Sequence, residues 1–370
     1  MMSDDFAEFH DELRTVAREL LGKTGDAAVE WSAVARAGWT GLEVPDEFDG
    51  TAATFTETAI LLEEIGRAAA RTPYPAVAAA GIGALCLLEP TTRRDVVLCE
   101  TVAGTARPVA VLAGNMVPAA GGETACAGTG GIVPAFELVQ TGKAILLSGS
   151  ADFVLDAPAA TVLLIPARAA DGALGVALVE PGAAGLEITE LPVVDETRSL
   201  GKVTALGVAL AKQSFVPFAP GAPHPLRLLY DRAVLAVACD SLGLAAAMLD
   251  ATVGYTRVRE QFGRPIGSFQ AVKHACADML VESTIARQLV TAASTAVVTG
   301  APDSSRAVSM AKAFTGEAAV RIAGAAMQLH GGIGYTWESG VHRYLKRATL
   351  NRSLYGSPAD HRRELGARYR

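Results

Sequence analysis

The chain has 370 residues, half of them hydrophobic and only 19% charged, which supplies enough core for two or three packed units and excludes a disordered polymer. A net charge of −7 offers no general attraction for nucleic acid or an anionic membrane, so an anionic ligand needs a local basic site. Cys86, Cys99, Cys126, Cys239 and Cys276 are scattered and odd in number, with neither metal spacing nor a disulfide framework, and read as reduced thiols of a cytoplasmic protein without a metal centre.

Met1 to Arg14 is mixed in charge and is not a signal peptide. Phe6, Phe9, Leu13, Val16, Ala17 and Leu20 recur at helical spacing, predicting a helix over 6–21. The Gly- and Pro-rich run from Gly38 to Gly50 predicts a loop. Residues 54–70 predict a second long helix, with Ile60, Leu61, Leu62 and Ile65 inward and Glu63, Glu64 and Arg67 toward water.

From Val109 to Phe218 the pattern changes to short apolar runs rich in Val, Leu and Ile: 144–147, 161–165, 174–179 and 185–189. Gly, Pro, Asp and Ala separate them, predicting antiparallel strands of a small barrel or sandwich. Pro225 suits the first turn of a helix over 226–258. That helix is the most apolar stretch, but Asp240 and Asp250 within it favour a buried helix over a membrane span. Gly243 inside it marks a close helix–helix approach. Further helices are expected over 269–298, from an Asp303 or Ser304 cap to Leu329, after Tyr335, and over 359–368. The Ala-rich face of the third, including Ala311, Ala318, Ala319 and Ala323, suits close packing in a bundle.

The stretch from Tyr255 to Met279 carries the chemistry. A helical pattern stops near Phe262; Gly263, Pro265 and Gly267 make a tight connection; the next helix opens near Phe269. Arg259, Gln261, Phe262 and Gln270 place a fixed cation, two amides and an aromatic face together. Such a set can grip a nucleotide, with Arg on phosphate and Phe beside a flat ring, or it can be a basic helical hairpin with nothing bound.

Arg259-Glu-Gln-Phe-Gly-Arg-Pro-Ile-Gly-Ser-Phe-Gln270, with Ala277-Asp-Met279 after it, closely resembles the signature of the acyl-CoA dehydrogenase family. Gln328-Leu-His-Gly-Gly-Ile-Gly-Tyr335 is a second match in the right order and spacing, and weaker similarity covers most of the chain. The resemblance implies an α+β, mainly α fold: an N-terminal α-helical domain over 1–105, a small β-barrel or sandwich over 106–222 and a C-terminal four-helix bundle over 223–370. It implies α,β-dehydrogenation of an acyl-CoA thioester, in which a carboxylate removes the α-proton and FAD takes the hydride. An electron acceptor such as electron-transfer flavoprotein then reoxidises the flavin. Arg259, Gln261, Phe262, Gln270, Gln328, Gly331 and Gly332 match the family's cofactor-binding elements, which reach the FAD of a neighbouring subunit.

The match fails elsewhere. The Thr-Glu-Pro-Gly-Ser-Gly-Ser-Asp-like stretch that opens the family's β-domain is missing around 117–125, and the Lys-x-Trp-Ile stretch is missing around 143–152. At the family's usual acid position, within Leu354-Tyr355-Gly356-Ser357, stands Tyr355, whose phenol is no base at neutral pH. The alternative position on the long helix is Ala233. Asp231 is roughly 200° round that helix, and Asp240 lies two turns further along. No catalytic residue is therefore assigned; Tyr355 and Gly356 are expected to line the substrate pocket.

Three readings follow. In the first, this chain is a subunit of a heteromeric dehydrogenase, like those of actinobacteria for bulky substrates such as steroid side chains, and completes the FAD site of a homologous catalytic partner. In the second, it is a homo-oligomeric enzyme with a displaced acid such as Asp240. In the third, it is a flavin-free structural or regulatory homologue. His330 is expected to be structural at a helix end, with His342 a weaker acid–base candidate. Lys346, Arg347, Arg352, Arg362 and Arg363 are expected to form a solvated basic face, with a CoA phosphate as the alternative.

Overall fold

The computed structural model describes residues 2–23, 27–118, 131–141 and 144–367, with the side chains of 2–7 left aside. Helix α1 (Met2–Gly22) and the short α2 (Trp31–Arg36) lead into two single 3-10 turns at Trp39–Gly41 and Asp46–Phe48, within the expected loop. Helix α3 (Phe55–Arg67) opens on a capping box: the Thr54 hydroxyl accepts from the Thr56 N–H at 3.1 Å, while Glu57 accepts from the Thr54 N–H at 2.8 Å. The apolar face of α3 is buried as expected. Its acids depart from expectation. Glu64 is 2% exposed and accepts two bonds from Arg18 at 2.7 and 2.8 Å, and Glu63 accepts two from Arg287 at 2.6 and 3.0 Å. Helices on both flanks of α3 bring cations that make these carboxylates part of the packing.

Beyond α3, α4 (Tyr74–Ala76), a π-helical stretch (Val77–Ile82) and α5 (Gly83–Leu87) run on as one irregular apolar helix. The π geometry frees carbonyls from the regular ladder. Arg232 takes that of Ala79 at 2.6 Å. Helix α6 (Thr92–Val102) follows, capped by the Thr91 hydroxyl.

The strands are β1 (Pro108–Ala110), β2 (Phe136–Thr141), β3 (Ala144–Leu155), β4 (Val162–Arg168), β5 (Leu174–Val179), β6 (Leu186–Leu191), β7 (Leu200–Leu210) and β8 (Phe215–Pro217). They form one sheet in the order β6-β7-β3-β2-β4-β5-β8, with β1 also beside β4. All four runs expected as strands are strands. The sheet is mixed, however: β1 and β2 both pair parallel with β4, while β5 pairs antiparallel along it. Two short strands thus share successive lengths of one β4 edge, an arrangement that short apolar runs do not encode. A bridge between Leu88 and Phe218 ties the sheet to the end of α5.

The C-terminal part begins with α7 (Pro225–Val258), which has Pro225 in its first turn, and continues with α8 (Gln270–Val298), α9 (Ser304–His330), α10 (Val341–Ser353) and α11 (Pro358–Ala367). Helices α7 to α10 pack together, with α11 against α9. The most apolar window of α7 is 83% buried, so this is a core helix. Asp303 stands at the cap position of α9 without a side-chain capping bond. The alanine face of α9 is buried at Ala311, Ala318, Ala319, Ala323 and Ala326, the last three in one apolar cluster with Leu244, Ala245 and Met248 of α7. Gly243 fulfils the expectation of a close approach. A Cβ there would stand 1.9 Å from the Glu63 carbonyl of α3, and one on Gly66 would stand 2.0 Å from the Asp240 carbonyl. Two helices cross backbone to backbone at this glycine pair, which fixes Asp240 beneath α3.

Candidate functional site

Helix α7 ends at Val258, where the expected range 226–258 also ends. A minimal hairpin follows, β9 (Glu260–Gln261) with β10 (Arg264–Pro265), turning on Phe262 and Gly263 at φ 54° and 75°. Two consecutive positive φ angles fit the type I′ turn that matches strand twist. The tip carries the Phe262 ring into solvent, 92% exposed, edge-on to Phe269 at 6.1 Å. Arg264 lies 4.1 Å over the Phe269 ring. The side chains of Arg259, Gln261 and Gln270 are exposed, and that of Arg259 makes no hydrogen bond or ion pair among the described residues.

The second motif reaches the same end of the bundle. Tyr255, in the last turn of α7, stacks on His330 with ring centroids 4.4 Å apart, and its hydroxyl donates to the His330 carbonyl at 3.3 Å. His330 Nδ1 bonds the Ala326 carbonyl at 2.7 Å, so this ring holds the helix end. Gln328, Gly331 and Gly332 are exposed around it, and a Cβ on either glycine would meet nothing within 4 Å. The result is an open ledge of backbone beside amide, guanidinium and aromatic groups. Such a set offers donors to phosphate and a flat face to a ring.

Tyr355 and Gly356 stand elsewhere, where α10, α7 and the sheet meet. Tyr355 is 5% exposed and left-handed at φ 55°. Its N–H donates to the Gly114 carbonyl at 2.5 Å, and its carbonyl accepts from the Tyr230 hydroxyl at 2.6 Å and is 3.0 Å from His361 Nε2. Burial raises the Tyr355 phenol above the ordinary tyrosine range. With Ala233, Ala236, Val237, Pro75 and Leu354, Tyr355 lines a cavity of only about 20 Å³. Both counted acid positions, 355 and 233, therefore border one nearly filled space that neither supplies with a carboxylate.

Asp240 does not serve as the displaced acid. Its Oδ1 accepts from Arg198 at 2.9 Å and from Arg347, and its Oδ2 accepts from Arg347 Nε at 2.9 Å and Asn351 at 2.6 Å. Burial pushes this carboxyl up, but Arg347 and Arg198 outweigh it and hold the group below its usual value. Each oxygen already accepts twice, so a substrate α-proton has no lone pair to meet. Asp231, which burial raises to about 6 against the pull of Arg227, bonds Arg227 at 2.8 Å and Ser305 at 2.5 Å, away from the cavity.

The expected basic face also needs correction. Arg347 is 0% exposed and belongs to the Asp240 network, bonding the Ala70 carbonyl at 2.8 Å besides. Arg362 pairs with Glu317 at 2.5 Å, Arg363 with Asp360, and Lys346 lies 5.0 Å over the Trp337 ring; of the five, only Arg352 is exposed with no side-chain partner among the described residues. His342 sits edge-on to Trp337 at 4.5 Å, apart from the Tyr355 cavity. Residues 119–125 and 143 of the two missing β-domain motifs lie outside the described residues. Phe153, three residues before Asp156, drew no attention in the sequence. It stands at φ 57° in β3, 44% exposed, and its carbonyl would lie 2.5 Å from a Cβ on Gly114, whose own carbonyl receives the Tyr355 N–H. Lys312, also overlooked, is fully buried beneath the Tyr355 segment.

Residues 227–369 match the family model described as acyl-CoA dehydrogenase, C-terminal domain, and residues 1–93 match acyl-CoA dehydrogenase, N-terminal domain. Over 337 residues the chain is 30% identical to the acyl-CoA dehydrogenase IpdE2 of Mycolicibacterium smegmatis, spanning 89% of this chain and 84% of that protein. The chain belongs to the acyl-CoA dehydrogenase family. Among solved structures, it superposes on a variant of the Tcur3481-Tcur3483 steroid ACAD with TM-score 0.82 and 27% identity, covering 97% of each chain. The ChsE4-ChsE5 complex from Mycobacterium tuberculosis shares the fold, with TM-score 0.83 and 24% identity over 96% of each chain. As an acyl-CoA dehydrogenase, this is a flavoprotein of an oxidoreductase family that acts on acyl-CoA with FAD. FAD supplies the hydride acceptor when bound.

Proposed function

We propose that this chain is a subunit of a heteromeric acyl-CoA dehydrogenase. It lends its exposed ledge to the FAD of a homologous catalytic partner and performs no proton abstraction itself. The observation that carries this reading is the contrast between two sites. At one, Arg259, Gln261, Phe262, Gln270, Gln328, Gly331 and Gly332 stand open, with the Arg259 guanidinium unengaged among the described residues. At the other, about 20 Å³ remains between Tyr355 and Ala233, and Asp240, the displaced candidate, is locked by two guanidinium groups. In this assignment Arg259 pairs with pyrophosphate, Phe262 lies along a ring of the cofactor, and Gly331–Gly332 let backbone approach the nucleotide. The base and the acyl pocket belong to the partner. Relatives whose names carry a two-component steroid dehydrogenase and a two-protein complex support a bulky acyl-CoA substrate and a hetero-oligomer. Electron-transfer flavoprotein is the proposed acceptor, and the cytoplasm the proposed setting.

The experiment is flavin absorbance of the chain purified alone, with FAD added and the excess removed, against the chain co-purified with a homologous dehydrogenase subunit. A nearly colourless chain alone and a yellow, active pair are expected. Stoichiometric flavin on the isolated chain would overturn the reading. In the pair, Arg259→Ala should release flavin while leaving stability within about 0.5 kcal/mol, as for an exposed side chain away from structural features.

A further inference from the structure

One side chain holds the segment that carries Tyr355. Lys312 lies in the middle of α9 at 0% exposure, and its Nζ donates to the carbonyls of Asn351 at 2.8 Å, Arg352 at 3.1 Å and Gly356 at 3.1 Å. Those carbonyls close the end of α10 and the turn beyond Tyr355. An ammonium donates to all three carbonyls, and a neutral amine still donates to two of them, so loss of one proton keeps the contact. No carboxylate forms an ion pair with Lys312 among the described residues. The groups facing it are Arg352 at the end of α10 and Asp360 and His361 on α11. Burial and then Arg352 draw the Lys312 ammonium down to about 7, with Asp360 opposing them.

Above this support, Tyr355 is held in a left-handed conformation that a bulky residue rarely adopts unless its surroundings fix it. The Gly114 carbonyl holds its N–H, and Tyr230 and His361 hold its carbonyl. Its ring closes the cavity lined by Pro75, Ala233 and Val237. We propose that Lys312 is a positioning residue that locks Tyr355 into this chain's own pocket, and that protonation of the buried Lys312 amine weakens the lock and opens the pocket. This does not rest on the reading above, which gives the working acyl pocket to the partner; the lock is tested without flavin, substrate or partner, so the two stand or fall separately.

The test is hydrogen exchange, followed by mass spectrometry, of peptides spanning residues 348–361 in the full chain from pH 6 to 9, corrected for intrinsic rates. Protection should rise at least tenfold as pH rises, because the opened segment takes up a proton that the closed one does not, while peptides from α3 and β3 keep theirs. Lys312→Met should be unprotected at both ends of the range. Arg352→Ala removes a neighbouring positive charge from the exposed surface and should move the wild-type midpoint to higher pH. A flat wild-type profile, a pH step that survives in Lys312→Met, or a midpoint unmoved in Arg352→Ala would each overturn the proposal. If Lys312→Met does not fold, the wild-type profile and Arg352→Ala decide the matter.

Discussion

Asp240→Ala is the substitution whose cost follows most directly from the structure. The carboxylate is 1% exposed and stands between Arg347 and Arg198, which are 0% and 3% exposed at their side chains. Its removal leaves two guanidinium groups of like sign facing each other in the interior. Arg198, already lowered by burial and next by Arg347, loses the carboxylate that most favours its charge. Breaking a buried pair by deleting one partner costs about 3–5 kcal/mol, because the survivor is uncompensated. Two survivors place this case toward the upper end. A loss of about 4 kcal/mol is close to a thousandfold in the folded-to-unfolded ratio. Urea denaturation followed by tryptophan fluorescence reads it as a lower midpoint. Asp240→Leu combined with Arg347→Met should recover part of the loss, since a packed apolar pair avoids the desolvation penalty. The reasoning is refuted if Asp240→Ala costs less than about 1 kcal/mol, the worth of an exposed ion pair.

Gly243→Ala drives a methyl into the Glu63 carbonyl and should cost about 1–3 kcal/mol as α3 and α7 separate, whereas Gly254→Ala, with nothing within 4 Å, should stabilise α7 by a few tenths to about 1 kcal/mol; equal urea midpoints for the two would contradict the crossing. His361 supplies a pH dependence. Burial, then Lys312, lowers it to about 4, so between about 4 and the unfolded value of 6.5 the unfolded chain binds a proton that the folded chain does not. Stability should therefore fall as pH is lowered through that window, by roughly 3 kcal/mol in all. His361→Gln should flatten this part of the profile; an unchanged slope would assign the loss to other groups.

The sequence was most legible where local chemistry decides structure. Pro225 marks the start of α7, and the Gly- and Pro-rich run from Gly38 to Gly50 marks the break ahead of α3. Gly243 announced a backbone contact because a glycine inside an apolar helix otherwise only weakens it. Long-range partners were not legible. Glu64 and Arg347 carry the charge of a solvated face, and only the fold reveals that Arg18 lies 46 residues from one and Asp240 107 from the other. The parallel pairing of β1 and β2 with β4 was hidden for the same reason, since register across an intervening strand has no local signature. At the nucleotide-gripping stretch the tight connection was legible and its form was not. Gly263, Pro265 and Gly267 announce a connection between helices, but no periodicity distinguishes a loose helix end from a two-residue turn, and only the fold shows Phe262-Gly263 turning a hairpin that projects the ring outward. At the acid position, counting found Tyr355 and Ala233 but could not show that both face one space.

The π-helical stretch gives that space an adjustable wall. Val77–Ile82 holds the backbone wider than an α-helix would, and Ala79 and Ala80 within it border the cavity. Deleting one residue would tighten the stretch and swing everything beyond it by about 100° relative to what precedes it. Related chains can therefore enlarge or shrink this chamber by changing the number of residues in its wall while leaving every side chain type in place.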